Sequence, residues 1–111
     1  GRTAAAEDFA RRSGAVVVLK GPGTVVAGPD GRCRVNTTGN CGMAKGGSGD
    51  VLSGVVLALL GLGMDAFDAC CCAVWLHGRA GDLAAQEKGQ WGMTPTDLLE
   101  RLPQALREVT E

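Results

Sequence analysis

Between Ala15 and Leu19 the chain runs Ala-Val-Val-Val-Leu, with no polar residue to mark a solvent face. An unbroken β-branched run favours a strand, and a strand apolar on both sides has to be covered on both sides, as in a parallel sheet. Just upstream, Ala4, Ala5, Phe9 and Ala10 recur at helical spacing between Thr3 and Arg12, and Ser13-Gly14 stops the helix. A helix feeding a doubly buried strand predicts α/β architecture.

The rest of the chain reads as one hairpin and three further helices. TVVA at Thr24 to Ala27, the turn Gly28-Pro29-Asp30-Gly31 and the segment Arg32 to Asn36 predict the hairpin, because Pro-Asp-Gly supplies the dihedrals of a tight turn. A long glycine-bearing loop, Thr37 to Gly49, then leads into an apolar helix that Asp50 opens and that runs through Leu62, broken by Gly61 and Gly63. A second helix is expected after an N-cap at Asp65, reaching about Gln86, with Phe67, Cys71, Val74 and Trp75 on its core-facing stripe. A third is expected at Thr94-Pro95-Thr96-Asp97, where a Thr cap, Pro at the first helical position and an acid three residues past the cap agree. No internal repeat or linker interrupts the 111 residues, which fit a single domain.

Charge and cysteine usage narrow the surroundings. A net charge of -1 gives no basic footprint for nucleic acid. The longest uncharged stretch, Val51 to Met64, is shorter than the roughly 20 residues a membrane helix needs, so no membrane partner is expected. Cys33, Cys41 and the run Cys70 to Cys72 make an odd count without a C-x-x-C pair, which offers no metal site and fits a reducing, cytoplasmic setting. The opening GRTAAAEDFARR mixes charges and lacks an apolar core, so it is not a signal peptide; beginning without Met and inside a helix, the chain reads as a fragment.

The chemistry concentrates in TTGNCGMAKGGSGDVLSGVV. Five glycines fall between Gly39 and Gly49, immediately ahead of a helix, and this arrangement gathers unpaired backbone N–H groups into an anion site. Phosphate is the natural guest, because any Cβ there would hold the backbone away from phosphate oxygens. Asp50 supports two readings on spacing alone: a general base that takes a proton from an acceptor hydroxyl during phosphoryl transfer, or an ordinary helix N-cap. Neither G-x-x-x-x-G-K-[ST] nor a post-strand G-x-G-x-x-G is present, and Ser48 fails the nucleophile elbow because Asp50 stands where its final Gly belongs.

GNCGMAKGGSGDVLSG resembles the signature of the NAD(P)H-hydrate dehydratases, the YjeF C-terminal family of the ribokinase-like superfamily, and VVLKGPGTVVAGPDG, WLHGRAGDLAA and TPTDLLERLPQAL follow the family's order along the whole chain. The resemblance implies the C-terminal portion of a three-layer α/β/α domain whose missing N-terminal part supplies most of the sheet. It implies repair of hydrated NADH or NADPH (NADHX, NADPHX): ADP or ATP, with Mg²⁺, phosphorylates the ring hydroxyl and phosphate then leaves. The loop looks bacterial in type, which points to ADP yielding AMP. Asp50 is then the base and touches the substrate; Gly47, Ser48 and Gly49 form the anion hole, with Gly49 also on the nucleotide. Lys20, Gly21, Pro22, Gly23 and Thr24 border the adenine nucleotide, and Asn36 and Asn40 lie near its phosphates. The position of the Lys20 loop after a strand supports this separately, since ligands in open α/β sheets gather at strand carboxyl ends. Fusion to, or partnership with, an epimerase domain and a homo-oligomeric state are both compatible with the resemblance.

Cys41 replaces the family's usual Pro, and Lys45 and Ser48 its usual Thr residues. Lys45 could pair with phosphate or be a surface charge. His77, with Gly78 beside it, reads as a packing residue between helices, and Trp75, Trp91 and the Cys70 to Cys72 run as core or helix-contact residues. A small-molecule kinase of the same superfamily and a noncatalytic nucleotide-binding module are the alternative functions.

Overall fold

Twelve residues rich in alanine form α1 (Arg2–Ser13), which ends where Gly14 turns left-handed at φ 71° and donates its N–H to the carbonyl of Ala10. In a computed structural model that describes residues 1–43 and 47–110, this helix lies on a three-stranded sheet of β1 (Val17–Leu19), β2 (Val25–Ala27) and β3 (Cys33–Val35). Lys45, read as a phosphate partner or a surface charge, and Gly46, one of the five glycines of the expected anion site, lie outside the described residues.

The strand order is β1-β2-β3 and both ladders are antiparallel, with Val18 opposite Val26 and Val26 opposite Arg34. Strand alternation sends Val17, Leu19, Val25 and Ala27 towards Ala6 and Ala10 of α1. Val18 and Val26 point the other way, into a cluster with Leu52, Phe67, Ala73 and Val74. Helix, sheet and helices thus make three layers.

The expectation that the apolar run beginning at Ala15 is a strand buried on both faces, as in a parallel sheet, is corrected in two respects. Every described ladder is antiparallel, because the links between the strands are far too short for a parallel crossover. The strand buried on both faces is β2, while β1 is half-buried, since β1 is an edge among the described strands and has a neighbour on one side alone.

The remaining helices are α2 (Ser48–Gly61), α3 (Ala66–Lys88) and α4 (Pro95–Thr110). The caps at Asp65 and Thr94 form as expected: Asp65 accepts from the N–H of Asp68, and Thr94 and Asp97 exchange reciprocal side-chain to backbone bonds of 2.8 and 3.2 Å. Helix α2, however, starts two residues before Asp50. Gly47 is its N-cap at φ 92°, so Asp50 sits inside the first turn and the reading of Asp50 as N-cap is excluded. Helix α3 runs through the middle. One side packs on the sheet through Phe67, Ala73 and Val74; the other meets α4 through Leu76, Ala80, Leu83 and Leu98.

Candidate nucleotide site

A cavity of about 680 Å³ opens between the β1–β2 loop, the segment after β3 and the N-terminus of α2. Its walls include Lys20, Gly21, Pro22, Gly23 and Thr24 on one side and Asn36 and Asn40 on another. Ser48 and Gly49 close it at the helix end, and His77 and Gly78 of α3 form the floor. Three stretches distant in sequence thereby converge. Gly47 and Asp50 do not line it; Asp50 is exposed on the first turn of α2, just outside the Ser48-Gly49 wall.

The β1–β2 loop holds its shape through Arg2. Its guanidinium donates to the carbonyls of Leu19 (3.2 Å), Lys20 (3.0 Å) and Pro22 (2.5 Å), so four-carbon reach from α1 gathers the loop's acceptors at one point. Gly21 has φ 139°, and a Cβ there would stand 2.8 Å from Arg2 Nη2, which shows why the residue is glycine. Bonds from a charged donor contribute about 1.5 to 3 kcal/mol. Arg2 has no local sequence signal, because its partners lie 17 to 20 positions away.

The wall after β3 is fastened to α3. Asn36 Nδ2 donates to the carbonyl of Val74 (3.2 Å) and to Thr38 Oγ1 (3.1 Å), while Thr38 Oγ1 donates to the carbonyl of Trp75 (3.0 Å). Asn40 Nδ2 donates to Asp82 Oδ1 at 3.0 Å and Asn40 Oδ1 accepts from Gly42 N–H at 2.9 Å. Both asparagine side chains are therefore engaged within the protein, which leaves backbone and neighbouring groups to face a ligand. Helix α3 admits the loop by lacking side chains: a Cβ on Gly78 would lie 2.8 Å from the Thr38 carbonyl carbon, and one on Gly81 2.8 Å from Met43 Cγ.

At the helix end two features that favour negative charge meet, beside a histidine. The first turn of α2 presents unpaired N–H groups and the positive end of the helix dipole. Lys20 Nζ lies so close to Gly49 that a Cβ there would be 2.9 Å from it. His77 Nε2 stands 2.9 Å from the carbonyl oxygen of Ser48 and 3.1 Å from its Oγ. A carbonyl oxygen only accepts, so Nε2 carries the proton and donates. Burial holds the imidazole below its usual pKa, with a smaller push in the same direction from the Lys20 ammonium and an opposing pull from the Ser48 carbonyl. His77 is thus neutral near pH 7. His77 lies between α3 and the start of α2, in keeping with its reading as a packing residue between helices, but its specific partner is Ser48 of the anion loop, 29 residues away, a distance that no sequence spacing reveals.

Among the described residues no cluster of three or more His, Cys, Asp or Glu could hold a metal, and the cavity lining contains no carboxylate. No described helix is long and apolar enough to cross a membrane.

Residues 1–104 match the NAD(P)H-hydrate dehydratase family. The chain is 51% identical, over 99% of its own length and 21% of the relative's, to the bifunctional NAD(P)H-hydrate repair enzyme of Thermofilum pendens. It is 48% identical, over 79% of its length and 30% of the relative's, to the ADP-dependent (S)-NAD(P)H-hydrate dehydratase of Neisseria meningitidis serogroup B. Among solved structures it resembles the ADP/ATP-dependent NAD(P)H-hydrate dehydratase of Bacillus subtilis co-crystallised with ATP/Mg²⁺, with a TM-score of 0.91 and 38% identity over 96% of this chain and 39% of that one. The chain thus spans between about a fifth and two fifths of the length of these relatives. The described three layers are the corresponding part of their ribokinase-like α/β fold, and the chain belongs to the NAD(P)H-hydrate dehydratase family.

Proposed function

We propose that this chain is the C-terminal segment of a single ribokinase-like domain and supplies the nucleotide and phosphate site of an ADP- or ATP-dependent NAD(P)H-hydrate dehydratase. One observation carries the proposal: a lysine ammonium faces the N-terminus of α2 across Gly49, beside a histidine kept neutral. Two positive features turned towards each other repel, and an anion placed between them converts the repulsion into two attractions. The terminal phosphate of a nucleotide is such an anion, and the rest of the molecule fits the adjoining cavity of about 680 Å³.

In this reading the N–H groups from Gly47 to Gly49 and the Lys20 ammonium hold the phosphoryl group and stabilise its developing charge, where each preorganised donor is worth about 3 to 4 kcal/mol. Asp50, on the outer side of the same turn, takes the proton of the hydrate's hydroxyl as the hydroxyl oxygen bonds to the terminal phosphorus and the bond from that phosphorus to its bridging oxygen breaks, releasing AMP from ADP or ADP from ATP. Loss of phosphate, with a proton leaving the neighbouring ring carbon, then restores the reduced nicotinamide ring. Magnesium would be held by the nucleotide's own oxygens, since the cavity lining offers no carboxylate; it would neutralise phosphate charge. Lys20 holds the phosphate from the opposite side.

The test is to follow NADH absorbance on mixing the full-length protein with NADHX, ADP and Mg²⁺. Nucleotide-dependent recovery of NADH is expected, and its absence rejects the reaction; accumulation of a stable phosphorylated product instead would identify a kinase. Asp50→Asn should lower turnover by about 10² to 10⁴-fold while ADP affinity is kept.

A further inference from the structure

Helix α3 carries a carboxylate that does not line the nucleotide cavity and yet reaches its wall. Asp82 is half-buried, and its two oxygens are divided between two donors of the loop after β3: Oδ2 accepts from Gly39 N–H at 3.0 Å and Oδ1 from Asn40 Nδ2 at 3.0 Å. The chain of bonds continues, because Asn40 Oδ1 accepts from Gly42 N–H at 2.9 Å. Gly39 adopts φ 107° and thereby turns its N–H towards the helix. One carboxylate thus sets the direction of two peptide groups and one amide side chain in the segment that leads to the anion loop.

The orientation of the amide is not free. With Asp82 accepting, Asn40 must present its nitrogen to α3 and its oxygen to Gly42 N–H, and an amide flip would set donor against donor and acceptor against acceptor at once. The arrangement is a directed relay from a rigid helix to a glycine-rich segment that has little stiffness of its own.

We propose that Asp82 is a positioning residue for nucleotide binding: through Asn40 and Gly39 it holds the cavity wall that faces the Lys20 loop, without touching the ligand. The proposal rests on the nucleotide-site reading given above, and adds to it a residue one turn beyond Gly78 on α3 whose effect is transmitted through hydrogen bonds alone.

The direction of the relay supplies the test. Asp82→Asn places two amide nitrogens against each other, and Asn40→Asp places two carboxylates against each other. The exchange Asn40→Asp with Asp82→Asn restores every bond, since the new amide at position 82 accepts from Gly39 with its oxygen and donates to the new carboxylate at position 40, which still accepts from Gly42. In the full-length protein each single substitution should raise the ADP KM, lowering kcat/KM on the order of 10²-fold with a smaller change in kcat, as misplacement of a positioning element does. The exchange should return it to within about tenfold of wild type. A purely structural role would lower the melting temperature and leave the ADP KM of the folded enzyme unchanged. The proposal is overturned if both single variants keep the ADP KM within about threefold of wild type, or if the exchange is no better than the worse single variant. Should Asp82→Asn fail to fold, Asn40→Ala cuts the same link from the loop side, and an unchanged ADP KM in that variant overturns the proposal equally. ADP calorimetry on the same proteins separates the two ideas: a wild type that binds ADP without converting NADHX rejects the reaction, while the order of ADP affinities still decides the relay.

Discussion

Helices α2 and α3 lie side by side and are treated differently by the rest of the chain. Helix α3 is covered on both sides, with Phe67, Val74, Leu76, Gly78, Ala80 and Leu83 among its buried residues, and its polar groups fasten the cavity wall. Helix α2 is apolar nearly all round, yet Ser48 and Leu52 are its only residues described as buried, and Leu57 and Leu62 are 69% and 80% exposed. A helix hydrophobic on every side belongs in an interior. The contrast is between a helix whose polar groups are tied into the cavity wall and one whose apolar surface is left largely uncovered, in a chain that spans 39% of its Bacillus subtilis relative.

Glycine-to-alanine substitutions test this contrast most directly. Gly78→Ala on α3 drives a methyl group into the Thr38 backbone, so a loss of about 1 to 3 kcal/mol in thermal or urea unfolding is expected, together with weaker ADP binding. Unchanged stability would mean that the loop does not rest on α3. A smaller cost is expected at Gly81, where the obstacle is the flexible Met43 side chain.

His77→Gln tests the junction between the two helices and should cost about 1 kcal/mol at pH 7, the net worth of a hydrogen bond. It should also change the pH response. The folded imidazole has a pKa below its ordinary value of 6.5, so the unfolded chain binds the proton first as pH falls. Stability from this residue is therefore whole above about pH 6.5 and is lost below it, levelling off once the folded form is protonated too. The chain has 1 histidine, and the wild-type minus His77→Gln difference should carry this slope; parallel pH profiles would refute the assignment.

On α2 the signs reverse. A methyl group at Gly54 meets nothing within 4 Å, and Gly54→Ala should stabilise this chain by about 0.5 to 1 kcal/mol through helix propensity. Leu57→Ser should leave it within about 0.5 kcal/mol of wild type, as exposed positions do. Covering of α2 by segments outside this chain would turn both outcomes unfavourable in the full-length protein; identical values in the two contexts would show that the face stays open.

How much of this was legible beforehand follows from the range of each interaction. The hairpin around Pro29-Asp30-Gly31, the stop at Gly14 and the caps at Asp65 and Thr94 rest on residues within a few positions of one another, and all form as their local chemistry predicts. The start of α2 did not follow the same logic. Asp50 looked like the opening residue because acids favour helix N-termini, but Gly47 can adopt φ 92° and takes the cap three residues before Asp50, so the helix starts two residues earlier than expected. The burial of β1 was misjudged for another reason: a run of Val residues shows that covering is wanted, not whether it is supplied.

By itself, the order of residues determined the α/β class, the family and the glycine-rich anion loop, because propensity, capping and motif spacing are properties of neighbouring positions. Tertiary structure alone decided that Lys20 meets Gly49, that His77 pairs with Ser48 and that Asp82 holds Asn40. Those pairs are separated by 29 to 42 positions, and a contact of a few ångströms between such groups exists only after the strands, loop and α3 have packed.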